Sequence, residues 1–127
     1  MTPKEVVNAF WNAMATNDFA AASQWLSIDF TGFWPQSNEL ISGRANFAAV
    51  NTAYPANGRW HFDIKSIVAD GDTVVTDVAI TDGLVRARAI TFHTIKDGLI
   101  THQREYWPDD YPAPAWRAQW VTVIEAD

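Results

Sequence analysis

The chain contains no cysteine. Thiolate nucleophiles, disulfide staples and cysteine-bound metals are therefore excluded, and a reducing compartment fits. It is also short of positive charge: nine Lys and Arg stand against fifteen Asp and Glu, for a net charge of −6. Nucleic acid selects basic faces, so it is not an expected partner. No run of about 18 apolar residues and no signal-peptide pattern occurs, which points away from a membrane and towards the cytoplasm. Ser-His-Asp patterns and glycine-rich phosphate loops are absent as well.

What the chain has in quantity is aromatic surface. Hydrophobic residues make up 48% of it, and seven residues are Trp. Indoles are too large and apolar to be scattered over a free surface, so several should line one core or pocket. The length suits a single domain, 1–127, with one core.

Thr2, Pro3 and Glu5 form a capping box with proline at the first helical position. The helix they open carries Val6, Val7, Phe10 and Met14 on one face. Asp18 caps a second helix, expected to reach Leu26. Ile28 to Trp34 alternates as a strand and stops at Pro35, and 36–41 reads as a loop. Ser42-Gly43 starts a third helix with Phe47, Val50 and Tyr54 three and four apart. Trp60, Phe62 and Ile64 begin a further strand, with a bulge expected at Lys65-Ser66. Asp82-Gly83 and Asp97-Gly98 then divide three β-rich runs into a meander ending at Trp107. Residues 108–127 form a tail whose prolines prevent central-strand pairing, and Trp116 and Trp120 should pin it to the body. The whole is α+β: three N-terminal helices packed on the concave face of a cone-shaped, curved antiparallel sheet.

If both Asp-Gly pairs are two-residue turns, Asp77 faces Arg88, Arg88 faces Trp107, and Ile90 faces Glu105. One face then carries Val75, Asp77, Arg88, Ile90, Gln103, Glu105 and Trp107. The other carries Thr76, Val78, Ala89, Thr91, His93, His102 and Arg104. A slip of one residue would exchange the faces of everything beyond it.

The early helix pair, the Ser42-Gly43-Arg44 helix start and the ending Asp97-Gly98-Leu99-Ile100…Glu105-Tyr106-Trp107 resemble the nuclear transport factor 2-like superfamily. Within it the resemblance is to the SnoaL-like (polyketide cyclase-like) branch and its ketosteroid-isomerase relatives, over residues 1 to about 107. It implies a pocket between the concave face and the helices, and commonly a homodimer through the convex face. Isomerases, dehydratases, cyclases, epoxide hydrolases and non-catalytic binders share this fold, so the fold leaves the reaction open. The isomerase groups implied by the resemblance are missing here. Trp34 stands before Pro35 in place of the carboxylate base, Phe10 replaces the oxyanion-hole tyrosine, and 84–96 contains no acid. A ketosteroid isomerase is not expected.

On the face assigned to the pocket, Arg88 lies between Asp77 and Trp107, with Glu105 diagonal to it. This is loosely similar to the Asp-Arg-Asp arrangement of limonene epoxide hydrolases. Two carboxylates around a guanidinium can hold a water or a substrate oxygen; they can equally be a structural ion pair. Glu105, in a row with Val75 and Ile90, should have its pKa raised by desolvation unless it is a solvated edge residue. His93 and His102 are placed opposite each other on the convex side, where an interface role is simpler than a metal site. No metal and no other cofactor is expected.

The expected function is cofactor-independent acid/base chemistry, by isomerisation, cyclisation or water addition, on a small, largely apolar, cyclic or aromatic molecule. Glu105 and Asp77 would be the acid/base groups and Arg88 the orienting cation. Phe10, Trp34, Ile90, Gln103 and Trp107 would form the ligand-binding wall. A binding module closed over by Trp34, or a dimerisation unit with a filled cone, is the alternative. A pocket of ~300 Å³ or more holding Glu105 favours the enzyme, and one without ionisable groups favours the binder.

Overall fold

The computed structural model describes residues 1–125; the last two residues of the tail lie outside the described residues. Helix α1 (Pro3–Ala15) begins at the capping box, where Thr2 and Glu5 exchange side-chain-to-backbone bonds of 2.8 and 3.2 Å. It buries Val6, Val7, Phe10, Trp11 and Met14. Asp18 caps α2 (Phe19–Ser23) through the Ala21 amide, but this helix has five residues and ends short of Leu26. The remaining elements are β1 (Leu26–Trp34), β2 (Glu39–Ser42), α3 (Arg44–Ala53), β3 (His61–Asp70), β4 (Thr73–Thr81), β5 (Arg86–Lys96) and β6 (Leu99–Tyr106).

The three helices cover one face of a curved, unclosed six-stranded sheet of order β2-β1-β6-β5-β4-β3. The α+β architecture is as expected, with two differences in the sheet. Residues 39–42, read as the end of a loop and the start of the third helix, pair with β1 as a short edge strand after a turn in which Asn38 takes a φ of 58°. Four residues are too few for alternation to register in the sequence. Strand β1 also pairs with β6 in parallel, so the sheet is mixed.

Two registers differ from expectation, and the second decides which residues face the helices. Thr81 pairs with Arg86, which makes the β4–β5 connection four residues long instead of two. The Asp82 carboxylate causes this by accepting the Leu84 and Val85 amides at 3.0 and 2.8 Å, closing a wider turn. A two-residue shift preserves the faces. The second correction does not. Lys96 pairs with Leu99 as expected, but the register shifts at Thr101, so Thr94 meets His102 and Thr91 meets Glu105. That bulge turns the rest of β6 over relative to β5. The bulge expected in β3 is present, between Ile64 and Ser66.

The inner face consequently holds Val74, Thr76, Val78, Ala89, Thr91 and His93, all fully buried, together with Gln103 and Glu105. Asp77, Arg88 and Ile90 lie on the outer face beside Arg104 and Tyr106. His93 therefore lies in the core, away from His102, which is exposed. The tail also differs from expectation. A three-residue helical turn forms at Ala115–Arg117, but Trp116 and Trp120 are 72% and 71% exposed and are not pinned to the body. Its prolines forbid strand pairing, and a turn of three residues presents no apolar face wide enough to dock. No described helix is long and apolar enough to cross a membrane.

Candidate functional site

Between the helices and the inner sheet face lies a cavity of about 110 Å³. Phe10 of α1 reaches it because it sits on the apolar stripe with Val6 and Met14. Trp34 reaches it from the end of β1, two residues beyond Gly32 and therefore on the same face. Gly32 itself keeps the wall thin, since a Cβ there would come within 3.2 Å of the Phe30 ring. Gln103, Glu105 and Trp107 alternate inward along β6, an orientation set by the Thr101 bulge. The backbone amide of Trp107 donates to the Gln36 side chain, tying the end of β6 to the β1–β2 turn.

Glu105 is the acid of this cavity. The Thr91 hydroxyl, directly across the ladder, donates to its Oε2 at 2.6 Å. The Trp34 and Trp107 side chains add further hydrogen bonds. These neutral donors favour the carboxylate, but burial outweighs them and raises the Glu105 pKa above its ordinary 4.5. Beside it, Gln103 leads into a second polar chain. Its Nε2 meets His93 Nδ1 at 3.0 Å; His93 Nε2 meets Thr76 Oγ1 at 2.9 Å; and Thr76 Oγ1 accepts the Trp11 indole N–H at 3.2 Å. In that amide orientation Nδ1 accepts and the neutral ring carries its proton on Nε2. Burial lowers the His93 pKa to about 3, so the imidazole is a neutral spacer behind the pocket wall.

The rim is fastened by two side chains. Asn17 clamps the backbone of Trp60 with a pair of 2.8 Å bonds, donating to its carbonyl and accepting from its amide. Asp82 accepts the Asn57 amide at 2.8 Å in addition to Leu84 and Val85, and these three backbone donors hold its carboxyl down to about 2. Trp60, Tyr54 and Val85 all border the cavity, so these clamps set its mouth.

Of the residues singled out from the sequence, the structure brings together Phe10, Trp34, Gln103, Glu105 and Trp107. It does not bring Asp77, Arg88 and Ile90 to them. The Asp77–Arg88 pair does form, with Nη2 3.2 Å from Oδ2 and a second, shorter contact from Nε, but on the opposite side of the sheet. Among the described residues no cluster of three His, Asp or Glu side chains is placed to hold a metal ion.

A family model for the SnoaL-like domain matches residues 7–103. The chain belongs to that family. Among solved structures, this SnoaL-like domain is similar to a candidate ketosteroid isomerase from Kribbella flavida, with 26% identity and a TM-score of 0.89 over 98% of this chain and 91% of the other. A nuclear transport factor 2-like protein of unknown function from Burkholderia xenovorans shares 31% identity over 97% and 95%, with a TM-score of 0.79. An LEH-like epoxide hydrolase from M. tuberculosis shares 28% over 84% and 82%, with a TM-score of 0.66. No curated protein matches the chain significantly.

Three participants in this SnoaL-like pocket were not singled out from the sequence. Thr91 carried no signal beyond its place in a strand, and only the correct register shows it opposite Glu105. Asp82 was read as half of a tight turn, whereas its side chain caps a wider one. Asn17 lies between the first two helices; its φ of 64° and its clamp on Trp60 appear only in three dimensions.

Proposed function

We propose that this SnoaL-like protein binds a small, largely apolar molecule in the inner pocket and performs cofactor-independent acid/base chemistry on it, with Glu105 as the proton carrier. The observation that carries this reading is the placement of Glu105. It is the single carboxyl among the described residues lining the cavity, its pKa is raised by burial, and it is oriented by Thr91, Trp34 and Trp107. Raising a carboxyl towards working pH lets it donate and retake a proton, as isomerisation, cyclisation or water addition requires. Phe10, Trp34 and Trp107 supply apolar walls, and Gln103 a fixed amide for orienting a polar atom. Ile90, Asp77 and Arg88, on the outer face, take no part.

The neighbour from Kribbella flavida is named for ketosteroid isomerisation, but Trp34 and Phe10 occupy the positions where that chemistry would place its base and its tyrosine. The cavity holds Glu105 but, at about 110 Å³, falls short of the ~300 Å³ expected of the enzyme, which restricts the reading to a compact substrate and keeps a non-catalytic binding module as the second reading. The outer face offers half-buried Ile90, and Phe92 beneath the Arg104 guanidinium at 4.5 Å. We assign it to a homodimer contact, and the acidic, cysteine-free composition suits the cytoplasm. Sedimentation as a dimer at micromolar concentration is expected; a monomer there would remove the dimer from the proposal. The acid/base reading is tested by carbon-detected NMR titration of the Glu side chains. Glu105 should titrate above 4.5, and a value at or below that overturns the role.

A further inference from the structure

Glu105 has everything a carboxylate needs except a counter-charge. The Thr91 hydroxyl donates to one of its oxygens and the Trp34 and Trp107 side chains are its further donors, and all three are neutral. A protonated carboxyl would bring its own O–H into a shell of donors, in which only the Thr91 oxygen can accept. The described residues lining the cavity include no Lys, Arg or His. Arg88 lies across the sheet, and His93, behind Gln103, is held neutral down to about 3. Among the described residues, Tyr54 at the rim is the only other titratable lining group.

The walls are as one-sided as the charge. Ten of the nineteen lining residues are aromatic, Trp11, Trp34, Trp60 and Trp107 among them. Aromatic rings bind hydrocarbon and attract organic cations, and such a lining rejects a strongly hydrated inorganic ion.

Resting on the reading that the inner pocket is the functional site, we infer that its ligand is a small apolar amine, a hydrocarbon body bearing one ammonium group that pairs with Glu105. The carboxylate takes an ammonium hydrogen, and the aromatic walls take the body. A cavity of about 110 Å³ limits that body to a compact chain or a single ring. Binding is then linked to protonation. Wherever the empty pocket holds Glu105 protonated, that proton goes to solvent as the ammonium arrives, leaving a carboxylate–ammonium pair with charge and protons balanced. The carboxylate so formed is the basic form that proton abstraction needs, so the ligand itself prepares the base.

The probes are cyclohexylammonium and cyclohexanol, which share a ring and a heavy-atom count and differ in charge. The amine stays protonated well below its pKa of roughly 10, so calorimetric titrations between about pH 4 and 8 vary Glu105 and not the probe. Cyclohexylammonium should bind at least tenfold more tightly than cyclohexanol at the upper end, with affinity rising through the Glu105 titration. Glu105→Gln should bring the two within twofold. Equal or tighter binding of cyclohexanol at every pH, or binding of neither, overturns the inference. Should Glu105→Gln fail to fold, the wild type decides alone, since a pH-independent ammonium affinity also overturns it. A Glu105 that titrates above its ordinary value while preferring cyclohexanol leaves the acid/base role intact and removes only the amine. A Glu105 that titrates at or below that value removes the role itself.

Discussion

One sheet carries two acids on its two faces, and they live differently. On the outer face Asp77 meets the Arg88 guanidinium through both oxygens, with the two side chains 31% and 39% exposed. On the inner face Glu105 meets three neutral donors and no cation, in a cavity walled by aromatics. A wet ion pair of the first kind contributes little to stability and asks for no functional explanation. An acid withdrawn from water without a counter-charge costs folding free energy, and chains that keep such a group mark a site where its chemistry is used. Pairing draws the eye to Asp77 and Arg88 in a sequence, yet the unpaired acid is the better candidate.

The largest way to disturb this contrast is to open the inner face. Phe10 is 1% exposed and touches Trp11, Phe47 and His93 with ring centroids 5.2–6.1 Å away. Phe10→Ala should therefore lower unfolding stability by about 3–5 kcal/mol in denaturant titrations.

Acid should come next in size. His93 is titrated at about 3 in the fold against 6.5 outside it, so the unfolded chain takes the proton first and stability falls as pH drops between those values. At pH 4 the loss relative to pH 7 should be about 3 kcal/mol. Glu105 works with the opposite sign: its contribution is present below its unfolded value and is lost as pH rises through its elevated folded value. The His93 slope is therefore best measured in a Glu105→Gln background. A profile that is flat from pH 7 to 4 there would contradict the buried, neutral imidazole.

Much of this was legible in the sequence, and the losses have physical causes. Thr2-Pro3-Glu5 and Asp18 announced their helices because capping is local chemistry. The inward turn of Gln103, Glu105 and Trp107 was reached from a register that the structure corrects. One extra residue at Thr101 reversed β6 relative to β5, so the right wall was assembled with the wrong neighbours, Ile90 and Arg88 in place of Thr91 and His93. Nothing local marks such a bulge in a polar stretch such as Thr101-His102. The β4–β5 turn was missed because Asp82-Gly83 reads as a two-residue hairpin turn unless the Asp side chain is known to cap two further amides. Trp120 misled through composition alone, because a large indole predicts burial on average and not in a proline-held arm. Trp120→Ala should accordingly cost less than about 0.5 kcal/mol, the usual range for an exposed position. A larger loss in thermal or chemical unfolding would mean that the tail is covered in solution, by its own body or by a second copy.

The smallest effect expected is none at all, and it tests the separation of the two faces most directly. A register built on two-residue turns puts Arg88 diagonal to Glu105, where removing the guanidinium would raise the acid's pKa. In the structure Arg88 pairs with Ala79 in β4 and its side chain turns outward to Asp77, whereas Glu105 pairs with Thr91 and turns inward to the two tryptophans. The sheet and its packed side chains lie between them, and the Asp77 carboxylate already answers the positive charge. Arg88→Ala should thus leave the Glu105 titration where it is, while Thr91→Val, which removes a donor to the carboxylate, should raise it. Both are read in one carbon-detected NMR series on the wild type and the two variants. If Arg88→Ala raises the Glu105 value as much as Thr91→Val does, the guanidinium reaches the pocket and the two faces are not electrostatically separate. If neither variant moves it, the Thr91 hydrogen bond is not what orients the acid.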